Sequence, residues 1–215
     1  MSAKAKKISK ESIVTMFMDY VLEHEEVPKS VYKFCKVNSI QESDFYIHFG
    51  SISTLQKGIW TTFFDNSSNV MMKNEEYQDF SNRDKMLTFF YTFFEVLTLN
   101  RSYVLFALEQ SNNTLKNMEQ LKGLRRNIKE FAKGLIVAGN ENKKLTKHNP
   151  QFFSEGAWLQ FMFLLNFWKS DDSAGFEKTD VAIEKSVNTI FDVFDNTPLD
   201  NILDFGKFLY KESFA

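Results

Sequence analysis

The sequence contains little glycine, proline or cysteine. Its 215 residues include 8 glycines and 3 prolines, which disfavours a β-sandwich or β-barrel because those folds need many turns. The single cysteine, Cys35, cannot form an intramolecular disulfide bond, and this favours a reducing, cytoplasmic location. The most apolar stretches, 87–99 and 158–168, are shorter than the roughly 18 apolar residues of a membrane span. We therefore expect core helices and no membrane anchor.

Arginine is absent from residues 1–63, and the charge of the whole chain is nearly balanced. A formal net charge of −2 gives the molecule no overall field that would attract a polyanion. The first ten residues, however, hold Lys4, Lys6, Lys7 and Lys10 and no acidic residue. This pattern predicts a short basic arm on a mildly acidic body.

Motifs that indicate catalysis are also missing. None of the three histidines lies in an H-E-x-x-H pattern, and the chain has no G-x-G-x-x-G, Walker or G-x-S-x-G sequence. Cys35 lies among apolar neighbours and is interpreted as a buried packing residue, and Asp171 and Asp172 are interpreted as solvated residues at a helix end. We expect no enzymatic activity, no metal site and no cofactor.

Apolar residues recur with helical spacing in nearly every segment, which predicts an all-α fold of about nine or ten helices. We expect the first helix at 9–25 and a second from Pro28 to Cys35 or Lys36. A third, at 40–46, would be capped by Ser39 with Glu42. A longer fourth helix would run from Ser51 to about 73.

The remaining helix boundaries are predicted from capping residues. Ser81 with Asp84 begins one helix, and Asn100 is expected to cap a helix that extends to Leu115. Another helix is expected at 118–138, closed near Gly139. Asn149-Pro150 and Thr197-Pro198 each place a capping residue before proline, and an amphipathic helix is expected at about 176–196.

The segment 28–55 predicts a helix-turn-helix motif. Two short helices joined by a tight turn suit this motif, in which the second helix enters the major groove of DNA. The segment resembles the TetR family of bacterial regulators, whose recognition helix ends in Leu-Tyr-x-His-Phe before a Ser-Lys and a Leu that open a long helix. Here that stretch reads Phe45 to Phe49, followed by Ser51, Ile52 and Leu55.

The resemblance implies a DNA-binding domain at 1–63 and a helical ligand-binding and dimerisation domain at 64–215. Tyr46 and His48 would hold phosphates, and the residues before them would face base edges. The DNA-binding residues implied in this way are Lys29, Gln41, Ser43, Asp44, Tyr46 and His48. Because arginine is absent and Glu42 and Asp44 are acidic, a helix-turn-helix retained only as a scaffold is kept as the alternative.

The same resemblance implies an apolar chamber and a homodimer. The candidate ligand-binding residues are Phe89, Phe90, Phe93, Tyr103, Phe106, Trp158, Phe161 and Met162, together with Phe94 and Phe163. The candidate dimer residues on the helix at about 176–196 are Ile183, Val187, Ile190, Phe191 and Phe194, which the subunit core and the partner would share. The helix at about 151–168 is expected to take part in the same contact. The function implied is that of a TetR-like transcriptional regulator that binds double-stranded operator DNA and is switched by a small hydrophobic ligand.

The C-terminal segment offers a second resemblance. Residues 176–212 are similar to the end of the mitochondrial lipid-binding proteins of ubiquinone biosynthesis, which share the TetR-like fold. An apolar stripe in this segment is expected to pack on the protein's own body, with contact to a lipid surface as the alternative. Its residues are Leu199, Ile202, Leu203, Phe205, Phe208 and Leu209.

Overall fold

A computed structural model describes residues 8–110, 114–141 and 149–196, and most of these residues are helical. The α-helices are α1 (Lys10–His24), α2 (Val31–Val37), α3 (Glu42–His48), α4 (Ile52–Met72), α5 (Asn82–Leu99), α6 (Arg101–Glu109), α7 (Thr114–Glu119), α8 (Lys122–Glu141), α9 (Pro150–Ser170) and α10 (Glu177–Asn196). Short 3₁₀ helices lie at Glu75–Asp79 and Ala174–Phe176. The described part of the chain has no β-strand, which confirms the predicted all-α class.

Serine residues begin three of the first four helices. The hydroxyls of Ser9, Ser30 and Ser51 each accept a hydrogen bond from the backbone N–H three residues later. Such a bond satisfies one of the free donors at a helix N-terminus. The prediction for Pro28 was therefore wrong, because α2 begins only at Val31 after the cap at Ser30.

The turn between α2 and α3 departs from the predicted capping box. Ser39 does not cap α3 but adopts a left-handed conformation with φ of 55°. The N–H of Ser39 donates to the carbonyl of Lys36 at 3.4 Å, and that of Ile40 donates to the carbonyl of Cys35 at 3.0 Å. These two bonds end α2 in a Schellman motif, so α3 begins two residues later than predicted.

Other predicted boundaries were met in part. Ser81 and Asn149 cap α5 and α9 through their side chains, as expected. Asn100 precedes α6, but its amide donates to the carbonyl of Val96 at 2.8 Å. Leu115 lies in a separate helix, α7, and α8 continues through Gly139. Thr197, Pro198 and the apolar stripe from Leu199 to Leu209 lie outside the described residues.

The chain divides into two compact units. The first comprises the residues up to Asn74 and Thr92–Lys129, and the second comprises Glu75–Tyr91 and the residues from Glu130 onward. The division therefore falls within α5 and within α8. This division describes how the chain packs. The predicted boundary at 63/64 between a DNA-binding and a ligand-binding domain stays a prediction.

Asp171 joins the end of α9 to the start of α10 and is buried, which corrects the expectation that it is solvated. One carboxylate oxygen accepts from the N–H and hydroxyl of Ser173 at 2.9 and 2.6 Å. The other accepts from the N–H and hydroxyl of Thr179 at 2.9 and 2.6 Å. Burial alone would raise the pKa of Asp171, but these four hydrogen bonds hold it well below its ordinary value of 3.8.

Replacing Asp171 with asparagine is expected to lower the free energy of unfolding at pH 7 by about 2–3 kcal/mol, because an amide nitrogen would then face buried donors. Since the folded-state pKa is depressed, the stabilisation by Asp171 is present above pH ~4 and is lost as the pH falls further. Urea unfolding at pH 7 and pH 3 should show a smaller acid-induced loss in Asp171→Asn than in the wild type. The control is Asp172→Asn, whose exposed ion pair with Lys178 contributes less than about 1 kcal/mol. If Asp171→Asn and Asp172→Asn lowered the free energy of unfolding by the same amount, the stabilising role assigned to the buried Asp171 carboxylate would be wrong.

Candidate nucleic-acid interface

Three buried phenylalanines hold the first three helices together. Phe17 of α1, Phe34 of α2 and Phe45 of α3 are each completely buried. The rings of Phe17 and Phe34 lie 6.0 Å apart and those of Phe34 and Phe45 lie 5.9 Å apart, both edge to face. Because Phe45 is the buried residue of α3, its position decides which side of this short helix faces outward.

The side of α3 opposite Phe45 presents uncharged side chains, and the acidic Glu42 and Asp44 are partly buried at its flanks. Ser43 and Ile47 lie two positions before and two positions after Phe45, which in an α-helix is the opposite side. Both are exposed, Ile47 by 61%, and Tyr46 lies exposed beside them. Ile47 was missed from the sequence, although its spacing of four residues from Ser43 places the two on one face.

The predicted phosphate contacts, Tyr46 and His48, differ in what they already bind. The hydroxyl of Tyr46 donates a long hydrogen bond of 3.5 Å to Glu42 and is exposed. His48 is partly buried, and its Nε2 lies 2.9 Å from the backbone carbonyl of Ile8. A carbonyl only accepts, so Nε2 carries the proton. His48 thus ties the chain before α1 to the end of α3.

The remaining predicted DNA-binding residues lie at the surface. Lys29 and Gln41 are exposed, whereas Asp44 is partly buried. Lys33 and Lys36 of α2 are also exposed, so three cationic side chains accompany the first helix of the pair. Lys4, Lys6 and Lys7 of the basic arm lie outside the described residues.

Cys35 is buried behind this surface, as predicted. Burial, aided by the nearby carboxylates of Glu42 and Asp44, raises the pKa of the Cys35 thiol to about 11. The thiol is therefore protonated at neutral pH. Because the thiolate is the reactive form, Cys35 is a packing residue.

Phe49 connects the end of α3 to α4. Its ring is buried and lies 6.0 Å from that of Phe45. A Cβ atom added at Gly58 of α4 would lie 2.8 Å from Cε1 of Phe49. The absence of a side chain at Gly58 therefore allows Phe49, and with it the end of α3, to lie against α4.

Replacing Gly58 with alanine is expected to destabilise the protein by about 1–2 kcal/mol, because the methyl group would displace the Phe49 ring. This cost outweighs the gain of about 1 kcal/mol in helix propensity. The matched control is Gly134→Ala in α8, where an added Cβ meets no atom within 4 Å and stability should rise by about 0.5–1 kcal/mol. Urea unfolding of both variants measures the difference. Stabilisation by both substitutions would show that Phe49 is free to move.

A buried polar network fixes α4 to α6 and α7 within the first unit. Nε1 of Trp60 donates to Oε1 of Gln120 at 2.9 Å. Nε2 of Gln120 donates to the carbonyls of Ala107 and Asn117 at 2.7 and 2.9 Å. Buried networks whose members are all hydrogen-bonded restrict a core to one arrangement. The network therefore couples the helix that follows α3 to the end of α6.

Comparison with known protein families identifies the family of this chain. Residues 85–209, more than half of the chain, match a family model described as the C-terminal domain of tetracyclin repressor-like proteins. The chain therefore belongs to the TetR family. No curated protein matches the chain. The match confirms the resemblance inferred from residues 28–55, although the helix-turn-helix segment itself lies outside the matched range.

Most of the ligand-binding residues predicted for a TetR chamber are core residues of their own unit. Phe93 and Tyr103 are buried in the first unit, and Phe89, Phe90 and Phe161 in the second, whereas Phe106, Trp158 and Met162 are partly buried. Phe163 is 58% exposed, which corrects its placement in a chamber. The hydroxyl of Tyr103 is buried and has no hydrogen-bond partner. Burial raises the pKa of Tyr103, so the group is a neutral donor.

The predicted dimer stripe lies in the core of the second unit. Ile183 and Val187 are completely buried within one chain, and Phe191 and Phe194 are nearly so, with Ile190 partly buried. The ring of Phe153 on α9 lies 5.3 Å from Phe191 and 4.9 Å from Phe194. This stripe joins α10 to α9 in the same subunit.

On α9, the other helix of the predicted dimer contact, the exposed apolar residues lie on the side opposite the buried Phe161. Leu159 is 68% exposed, and Phe163 follows it four residues later on the same face. Phe152 and Gly156 continue this stripe toward the helix N-terminus, and Asn166 continues it toward the C-terminus. We call these five residues the α9 face. None of these five carries a charge, and the partly buried Glu155 lies at the edge of the stripe, four residues before Leu159.

No helix in the described ranges is long and apolar enough to cross a membrane.

Proposed function

We propose that this protein is a TetR-type transcriptional regulator that binds operator DNA as a homodimer and is switched by a small hydrophobic ligand. The observation that carries the proposal is the match to a TetR C-terminal domain, preceded in the chain by two short helices whose packing leaves one face of α3 exposed. In this proposal the chain has no catalytic role.

The DNA contact would combine phosphate binding by α2 with base contacts by α3. Exposed Lys29, Lys33 and Lys36 supply positive charge for the DNA backbone, and Tyr46 supplies a hydroxyl. Gln41 and Ser43 would reach base edges. Phosphate contacts fix position on the duplex, while base contacts give specificity.

Replacing Tyr46 with phenylalanine is expected to weaken binding to all DNA sequences alike, by about three- to tenfold, because one phosphate hydrogen bond is lost. Tyr46 is preferred over His48 for this test, since His48 also binds Ile8. The measurement is an electrophoretic mobility shift with the protein's own upstream region and with unrelated duplex DNA, at two salt concentrations. Gln41→Ala serves as the comparison, because it should change sequence preference instead. If neither duplex binds in a salt-dependent way, the regulator proposal fails.

The ligand would be mainly apolar and would carry one group that hydrogen-bonds. Aromatic side chains dominate the candidate residues, and the buried hydroxyl of Tyr103 has an unused donor. A buried polar group without a partner costs free energy that a ligand atom can recover. A ligand that binds one conformation better shifts the population toward it, and the bonds of Gln120 link α6 and α7 to α4, the helix that follows α3.

The homodimer would form through the α9 face. A two-fold contact places the same surface of each subunit against its mate. The uncharged stripe around Leu159 and Phe163 suits such a contact, because apolar side chains can pack against identical side chains without repulsion. Two recognition helices then bind successive major grooves if the dimer holds them about 34–36 Å apart.

A lipid- or isoprenoid-binding protein that uses the helix-turn-helix only as a scaffold is the second candidate. The observation that favours it is the charge of α3, which carries Glu42 and Asp44 and no lysine or arginine. Carboxylates oppose the approach of a polyanion. The mobility shift separates the two candidates, because the lipid-binding protein should show no salt-dependent DNA binding.

A further inference from the structure

The chemistry of the exposed α3 surface restricts which base pairs it can recognise. The groups that face away from Phe45 are the hydroxyl of Ser43 and the hydrocarbon side chain of Ile47, both exposed. Gln41, just before the helix, is exposed and its side chain makes no capping hydrogen bond. Its amide is therefore available to a base.

Each of these groups has a preferred base in the major groove. A glutamine amide pairs with N6 and N7 of adenine, and a hydrophobic side chain contacts the C5-methyl group of thymine. A serine hydroxyl can form a hydrogen bond with either kind of base pair. Guanine is usually recognised by two donors of arginine or by lysine. Between Lys36 and Lys57 the chain contains neither residue, and the one nearby ring donor, Nε2 of His48, is bound to Ile8.

We propose that the operator half-site is rich in A·T pairs and that Ile47 recognises the methyl group of one of its thymines. The inference rests on the proposed function. Ile47 is a specificity-determining residue here because an aliphatic side chain that is 61% exposed on the outward face of α3, near its C-terminal end, gains by covering a methyl group. Burying one such group corresponds to a factor of about four in affinity.

The test begins with selection of binding sites from random 40-base-pair duplexes by the full chain at 150 mM salt. Each thymine of the selected site is then replaced in turn by deoxyuridine, which lacks only the methyl group. At one thymine in each half-site we expect the substitution to weaken wild-type binding about fourfold. Ile47→Ala should bind the thymine and deoxyuridine duplexes equally at that position. The control is Val37→Ala, an exposed aliphatic residue at the end of α2, which should keep the wild-type sensitivity.

Three results would overturn the inference while leaving the regulator proposal intact. They are selected half-sites dominated by G·C pairs, no sensitivity to deoxyuridine at any position, or a sensitivity that survives in Ile47→Ala. Failure to select any sequence, combined with an absence of salt-dependent binding to bulk DNA, would instead refute the proposed function. Circular dichroism spectra of all variants check that α3 and the fold are retained.

Discussion

Replacing Leu159 with aspartate is expected to convert the proposed dimer into a folded monomer at micromolar concentration. The substitution places two carboxylates near the two-fold axis of the proposed interface, where each would lose water without gaining a partner. In the free subunit the side chain is 68% exposed, so the fold itself should be unaffected. Size-exclusion chromatography with light scattering measures the mass, and thermal melting checks the fold.

The matched control for this prediction is Leu99→Asp. Leu99 is also an exposed leucine, 74% accessible at the end of α5, and lies outside the α9 face. This variant should remain a dimer. We also expect Leu159→Asp to lose at least about 100-fold in affinity for a two-half-site operator, because the two recognition helices are no longer linked. A Leu159→Asp dimer with wild-type affinity would place the interface elsewhere.

Replacing Val187 with aspartate is expected to lower the free energy of unfolding by about 3–5 kcal/mol, enough to unfold a protein of ordinary stability. Val187 is completely buried on the side of α10 that packs against α9, and an unpaired carboxylate there cannot be hydrated. The measurement is urea unfolding followed by circular dichroism at fixed protein concentration.

Val181→Asp provides the control on the same helix. Val181 is 47% exposed, so the same chemical change should alter stability by less than about 0.5 kcal/mol. A stable, helical monomer of Val187→Asp would instead indicate that Val187 faces a partner subunit, as the sequence alone had allowed. Equal effects at the two positions would mean that the face of α10 has been assigned wrongly.

These two predictions separate what helical periodicity can establish from what it cannot. The spacing of Ile183, Val187, Phe191 and Phe194 predicts an amphipathic helix, and α10 confirms it. Periodicity does not say what covers the apolar side. Phe153 of α9 covers it within the same chain, so this stripe belongs to the subunit core.

In α9 the ambiguity has a different origin. This helix is apolar on nearly all sides, with Phe161 buried and Phe163 exposed only two residues later. A helix without a polar side gives no sequence signal for its orientation. Contact with α10 decides which side is internal and thereby defines the α9 face.

What the sequence determined by itself was local. Helix class and most helix starts follow from apolar spacing and from capping residues such as Ser51, Ser81 and Asn149, because these interactions involve residues three or four positions apart. The resemblance to the family followed from the residue types at Phe45 to Phe49, which lie next to one another in the sequence.

The tertiary structure decided which exposed groups the protein offers and which polar groups it buries. Packing of Phe45 turned Ile47 outward, and contact with Thr179 buried the carboxylate of Asp171. Ser39 lost its predicted capping role to a turn closed by backbone bonds. Each outcome depends on a contact with a distant residue of the chain or on a local backbone conformation. The spacing of residue types along the sequence predicts neither the contact nor the conformation.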